Sequence, residues 1–359
     1  MLETPELYLL QFMKHGLLYL FLLVISLCGC NTKSASPILD TDPAFYHWKT
    51  EFAPTPSEWN ILRHHKVKEL YIRFFDVAWD PNFKKPLPIA QLRVGDRTIF
   101  SKETIGVIPT VFITNECIKN IQPEQCRPLA ENIYKLITGI AAVNALDPIR
   151  EIQIDCDWTA ASRDKYFSLL QHLQQIDTLH AYSATIRLFQ VKYKKDAGVP
   201  PVKKGLLMCY NMGNLKSIET RNSILDPGEL KKYTGNLQDY PLPLDLALPL
   251  FSWYVLFREN KYEGLIQGMN GEVLKTFAKP LGENRFEIMK DIELNGYRFK
   301  KADLLRYESS SYENIMKAAS ILKQKINNKH LRLSLYHLDS IILSKYSTHE
   351  IEAIFSSFR

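Results

Sequence analysis

Residues 151–159 read EIQIDCDWT, a run in which polar and apolar residues alternate without a break. On an extended strand that period puts Gln153, Asp155, Asp157 and Thr159 on one face and Ile152, Ile154, Cys156 and Trp158 on the other. The two carboxylates then lie roughly 6.6 Å apart along the chain. Turned toward a barrel interior they repel each other and push one pKa upward, a state suited to handling protons near neutral pH. Beyond a strand end they would be ordinary solvated acids. The Ile-x-Ile before them and Trp158 after them favour the inward reading.

Working outward, seven further strand-like runs accompany this one: 45–50, 68–79, 106–114, 181–193, 204–212, 244–257 and 331–339. Between them fall stretches with apolar residues three and four apart, at 128–143 (Leu129, Ile133, Leu136, Ile137, Ile140), 163–179 and 311–326. Eight strands alternating with helices predict an α/β fold, a closed (β/α)8 TIM barrel. An open doubly wound sheet would want a Gly-rich phosphate turn after its first strand, and none is present. About residues 255–310 exceed what one barrel helix needs, alternate in polarity and contain Asn295-Gly296, a hairpin dipeptide. They predict an antiparallel β insertion between strands 7 and 8.

The N-terminus reads differently. GLLYLFLLVISLCGC (16–30) follows Lys14 and His15, matches a signal-peptide core and is too short for a spanning helix. Its end, Leu27-Cys28-Gly29-Cys30, looks like a bacterial lipobox. Glu3 and Glu6 fit a basic leader poorly, which points to translation starting at Met13, with Met1 left open. The expectation is a lipoprotein signal peptide over 1–29, a tether over 30–44 and a barrel over 45–359. Cys30 would carry palmitate-type chains, anchoring the protein in the bacterial cell envelope, on the periplasmic or outer face.

The composition is that of a soluble globular protein, 46% apolar and 23% charged over 359 residues, with a mild net charge of +6. No basic tract suggests nucleic acid. Cys117 and Cys126 share a polar loop that a disulfide could staple; Cys156 and Cys209 sit in apolar runs and read as buried thiols. No zinc-type spacing, G-x-S-x-G, P-loop or H-E-x-x-H occurs, so neither a metal nor a cofactor is expected.

With these residues in place, the chain resembles the glycoside hydrolase family 18 group, the chitinase-like barrels. Asp155-Cys156-Asp157-Trp158 matches the core of the family's fourth-strand D-x-x-D-x-D-x-E, with Ile152 at its first Asp and Thr159 at the catalytic Glu. Met208-Cys209-Tyr210-Asn211 resembles M-x-Y-D, with Asn211 for Asp. Leu246 to Phe251 resembles the seventh-strand run, and Leu335 to Asp339 the eighth-strand F-W-x-x-D, with Tyr336 for the sugar-stacking Trp. The resemblance implies a sugar cleft at the C-terminal strand ends, with Asp155, Asp157 and Tyr210 as a binding constellation. Thr159 cannot supply the family's proton, because an alkyl hydroxyl is too weak an acid near neutral pH.

Catalysis relocated to other carboxyls would need a second acid near Asp157. Glu116 is the first choice and Asp76 the second, with Glu259 and Asp339 as further strand-end acids. Trp253 and Tyr336 are the favoured sugar-stacking aromatics among several near strand ends. Gln190 could bond a sugar hydroxyl, whereas Arg187 should pair with a barrel carboxylate. Three readings stay open: a glycan-binding barrel that has lost catalysis, a non-catalytic interaction or structural lipoprotein, and an active hydrolase built on Asp157.

Overall fold

A computed structural model describes residues 40–97, 100, 105–146 and 148–359. The expected signal peptide, Cys30 and the tether up to residue 39 lie outside the described residues. Eight parallel strands close a barrel: β1 (Asp40–His47), β2 (Glu69–Asp80), β3 (Gly106–Ile113), β4 (Glu151–Cys156), β5 (Ala181–Arg187), β6 (Lys204–Met208), β7 (Leu244–Pro249) and β8 (His330–Tyr336). Pairing of β1 with both β8 and β2 completes the circle.

β4 is buried along its whole length because helices cover the outside while side chains fill the inside. Trp158, just past its end, stacks on Tyr166 at 5.0 Å. Tyr166 lies on α3 (Arg163–Ile176), which also buries Leu169, Leu170 and Leu173. The same periodicity buries Leu129, Ile133 and Ile137 of α2 (Cys126–Val143) and Ile315, Ala318 and Leu322 of α5 (Tyr312–Lys323). Caps set the helix starts. Thr55 and Glu58 form a capping box on α1 (Pro56–His64). Asp226 caps α4 (Pro227–Tyr233), and Ser347 with Glu350 caps α6 (Thr348–Ser356).

Several boundaries differ from the sequence reading. β1 begins at Asp40, so residues 40–44 are barrel and not tether; Asp40 to Pro43 carry no apolar strand signal, yet pair with His330 to Leu333. The apolar run 244–257 is two strands, not one. β7 stops at Pro249, and Ser252–Arg258 opens the insertion. The chain from 181 to 193 likewise divides into β5 and a short helix, Leu188–Lys192.

The insertion is a five-stranded antiparallel sheet in the order 261–266, 252–258, 304–309, 285–288, 278–282. Its own core contains Leu256, Ile266, Phe277, Ile288 and Leu305. The Asn295-Gly296 hairpin forms as expected, with both residues at positive φ (52° and 79°).

The floor of the barrel is a charged plug. Arg332 on β8 reaches Glu151 (3.1 Å), Asp245 (3.2 Å), Glu69 and the Tyr71 hydroxyl (2.8 Å). Lys204 bridges the same Glu151 and Asp245 at 3.0 and 2.7 Å. This end holds the strands in register; the opposite end is free for chemistry.

Candidate functional site

At the C-terminal strand ends lies a cleft of about 1360 Å³, to which every barrel strand or the residues just after it contribute: Trp48, Asp76, Phe112, Asp155, Arg187, Tyr210, Phe251 and Tyr336. The pleat of β4 sends Gln153 and Asp155 inward, as the alternation predicts. Gln153 accepts a hydrogen bond from the Tyr46 hydroxyl, and Tyr46 stacks on Tyr71 at 4.7 Å. Asp155 accepts one from Thr185 at 2.5 Å. Burial drives its pKa upward against the pull of Arg187, and Asp157 adds to the rise, leaving it at about 6.

Two arginine–aspartate pairs flank this carboxyl. Arg187, at the end of β5, grips Asp157 through Nε and Nη2, the latter at 3.1 Å. Arg187 therefore does pair with a barrel carboxylate, and it is the arginine, not Asp157, that lines the cleft. Arg73 holds Asp76 the same way, with Nε at 2.7 Å. Residues three apart on a regular strand face opposite sides. Here a bulge between Arg73 and Phe75 brings both to one face. The Arg73 guanidinium lies 5.5 Å from the Trp48 ring centre.

Aromatic rings gather around Tyr336, whose centroid is 5.3 Å from Tyr210, 5.7 Å from Phe251 and 6.0 Å from Trp48. The Tyr210 hydroxyl is buried and has no hydrogen-bond partner among the described residues. Such a group is normally satisfied, by a ligand or by water. Trp253 lines the cleft with its Nε1 donating to Glu308 at 2.7 Å. Met208 and Asn211 line it beside Tyr210. Asp339 also lines it, but its carboxylate caps the helix Ser340–Leu343 and pairs with Lys49 at 2.6 Å. The insertion supplies a wall through Tyr254, Ile266, Met269, Phe286 and Tyr307.

Three expectations are corrected. Glu116 sits exposed on the helix Asn115–Asn120 and does not line the cleft, because Thr114 caps that helix right at the strand end and turns the residue away. Gln190 is fully buried; it accepts from the Arg187 backbone N–H at 2.7 Å and donates to the Trp158 carbonyl at 3.0 Å, so it fastens β5 to the turn after β4. Cys117 and Cys126 are separate, buried thiols. Cys117 points into the core, while Cys126 approaches the Lys165 carbonyl at 3.6 Å. Thr159 lies in the turn entering α3, where its carbonyl accepts from Ser162 and Arg163. Arg73 and Lys49 were not foreseen as cleft residues. A charged residue inside the apolar run YIRFFD is the signal that could have found Arg73.

The cleft thus sits at the C-terminal strand ends of a closed (β/α)8 barrel, with Asp155 and a group of aromatics lining it. No family model and no curated protein matches the sequence. Solved structures do match the fold. The spore cortex-lytic enzyme SleL of Bacillus megaterium QM B1551 aligns with 90% of this chain and 76% of its own, at TM-score 0.55 and 14% identity. The C-terminal domain of a putative chitinase from Desulfitobacterium hafniense DCB-2 aligns over 90% and 100%, at TM-score 0.55 and 9% identity. A Group IV chitinase of Ostrinia furnacalis in complex with allosamidin aligns over 88% and 98%, at TM-score 0.52 and 10% identity. The fold is thus a divergent chitinase-like barrel.

Proposed function

We propose that the protein binds a glycan in the cleft and does not cut it at this site. The observation that carries the reading is the fate of the carboxyls. Asp157 and Asp76 are held by arginines, Asp339 by Lys49 and a helix cap, and among the described residues Asp155 alone faces the cleft without a cationic partner of its own. Acid–base glycoside hydrolysis by two enzyme carboxyls needs both flanking the bond, and the family's proton donor is replaced here by Thr159. The features that suit binding are retained: flat aromatic faces, a buried donor at Tyr210 and amide groups at Asn211. The allosamidin complex of the Ostrinia chitinase is a ligand-bound example of the same fold.

The lipobox-like end of residues 16–30 supports a second element of the proposal, anchorage through acylated Cys30 in a bacterial envelope. A glycan panel screened against the purified protein in detergent tests the first element. Saturable binding that weakens at least about tenfold in Tyr336→Ala is expected. Failure of every glycan to bind would leave the alternative, an interaction lipoprotein with an empty cleft.

A further inference from the structure

Four cationic side chains line the cleft, Lys49, Arg73, Arg187 and Lys345, with Asp76, Asp155 and Asp339, and Asp157 pairs with Arg187 from behind, so charges balance and only spare donor edges distinguish the cations. Each arginine uses Nε and Nη2 on its aspartate; Nη1 of both makes no hydrogen bond among the described residues. Lys345 has no acid within ion-pair range among the described residues, its ammonium donating only to the Ser252 hydroxyl at 2.7 Å. Both arginines line the cleft together with Tyr336, and the Arg73 guanidinium lies 5.5 Å from the Trp48 ring centre, so spare donors and aromatic faces share one cleft. A neutral sugar offers these donors only hydroxyls. A carboxylate offers them a charge-assisted partner, in a cleft whose low dielectric strengthens it.

We propose that the saccharide recognised here carries a carboxylate, received by a cationic donor that the cleft leaves spare, Nη1 of Arg73 or Arg187 or the Lys345 ammonium, while its ring packs on the aromatics. This deepens the glycan-binding reading and rests on it. A sugar acid of uronate type and a sugar bearing a lactyl ether supply the same group. Aspartates already on the arginines keep the guanidiniums oriented, leaving one edge of each to the ligand.

Calorimetric titration of the full chain in detergent tests this with trigalacturonate, the N-acetylglucosaminyl-N-acetylmuramic acid disaccharide, the methyl ester of each, and chitotriose. The expected result is that at least one acid binds about tenfold or more tighter than its own methyl ester. That advantage should shrink as salt is raised. It should also shrink in Arg73→Gln and in the exposed-edge variant Lys345→Ala, which leaves the barrel floor untouched. Which acid is preferred identifies the source of the carboxylate. Chitotriose binding with no difference between acid and ester would overturn the carboxylate inference and leave the glycan reading standing. No binding by any of these sugars would overturn both.

Discussion

Asp155 shows how a single side chain can be placed correctly by sequence and still differ in its reason for being unusual. The two-residue spacing to Asp157 pointed to mutual repulsion; in the fold, burial is the larger cause of its raised pKa, with Asp157, itself paired to Arg187, a smaller one. The sign of its effect on stability follows. Below about pH 4 the carboxyl is protonated whether folded or unfolded. As pH rises toward about 6 the unfolded chain ionises first, so the native state loses stability across that window. Asp155→Asn removes the loss. The melting temperature of the variant minus that of the parent should therefore climb from pH 4 to pH 7, and a flat difference would show that Asp155 is not held in its neutral form. Asp155, Tyr210 and Tyr336 were legible because each interrupts or ends a recognisable strand. Arg73 beside Asp76 was not, since their shared face depends on a bulge that no alternation rule contains.

At the scale of elements, a fully buried ion pair within one insertion strand ties that strand by hydrogen bonds to the long loop after β6. Arg306 meets Glu308 at 2.7 Å and reaches the carbonyls of Leu215 and Ser217, while Glu308 also receives Ser223 at 2.5 Å and Trp253. Removing one partner of such a pair strands the other charge without water. Glu308→Gln should cost roughly 3 kcal/mol or more in denaturant unfolding and alter Trp253 emission. Unchanged stability and emission would mean that apolar packing alone fixes the wall of the cleft. The hairpin at Asn295-Gly296 could be read directly, because two positive-φ positions demand those residues. The break at Pro249–Phe251 could not: β7 and the first insertion strand are equally apolar, both being buried, and nothing in hydropathy separates them. Glu116 was misplaced for a related reason, as proximity to a strand end does not say which way the next helix turns.

For the molecule as a whole, the two ends of the barrel do different work. The lower plug around Arg332 contributes stability and lies at the opposite end from the cleft. Arg332→Ala leaves Glu151 and Asp245 with Lys204 as their remaining cation and should destabilise by about 3–5 kcal/mol. Glycan affinity of the folded fraction should stay unchanged; a parallel loss of affinity would show that the ends are coupled. The barrel was legible at this scale because eight strand-like runs and the intervening helical periods stand in the sequence itself. Function was less so, since a fold hosts many activities. The most direct test incubates the protein with a glycan that binds it and follows both the bound fraction and the products by mass spectrometry in one sample. The account predicts saturable binding with the glycan recovered intact, and weaker binding in Tyr336→Ala. Release of new reducing ends that is abolished in Asp157→Asn would contradict it.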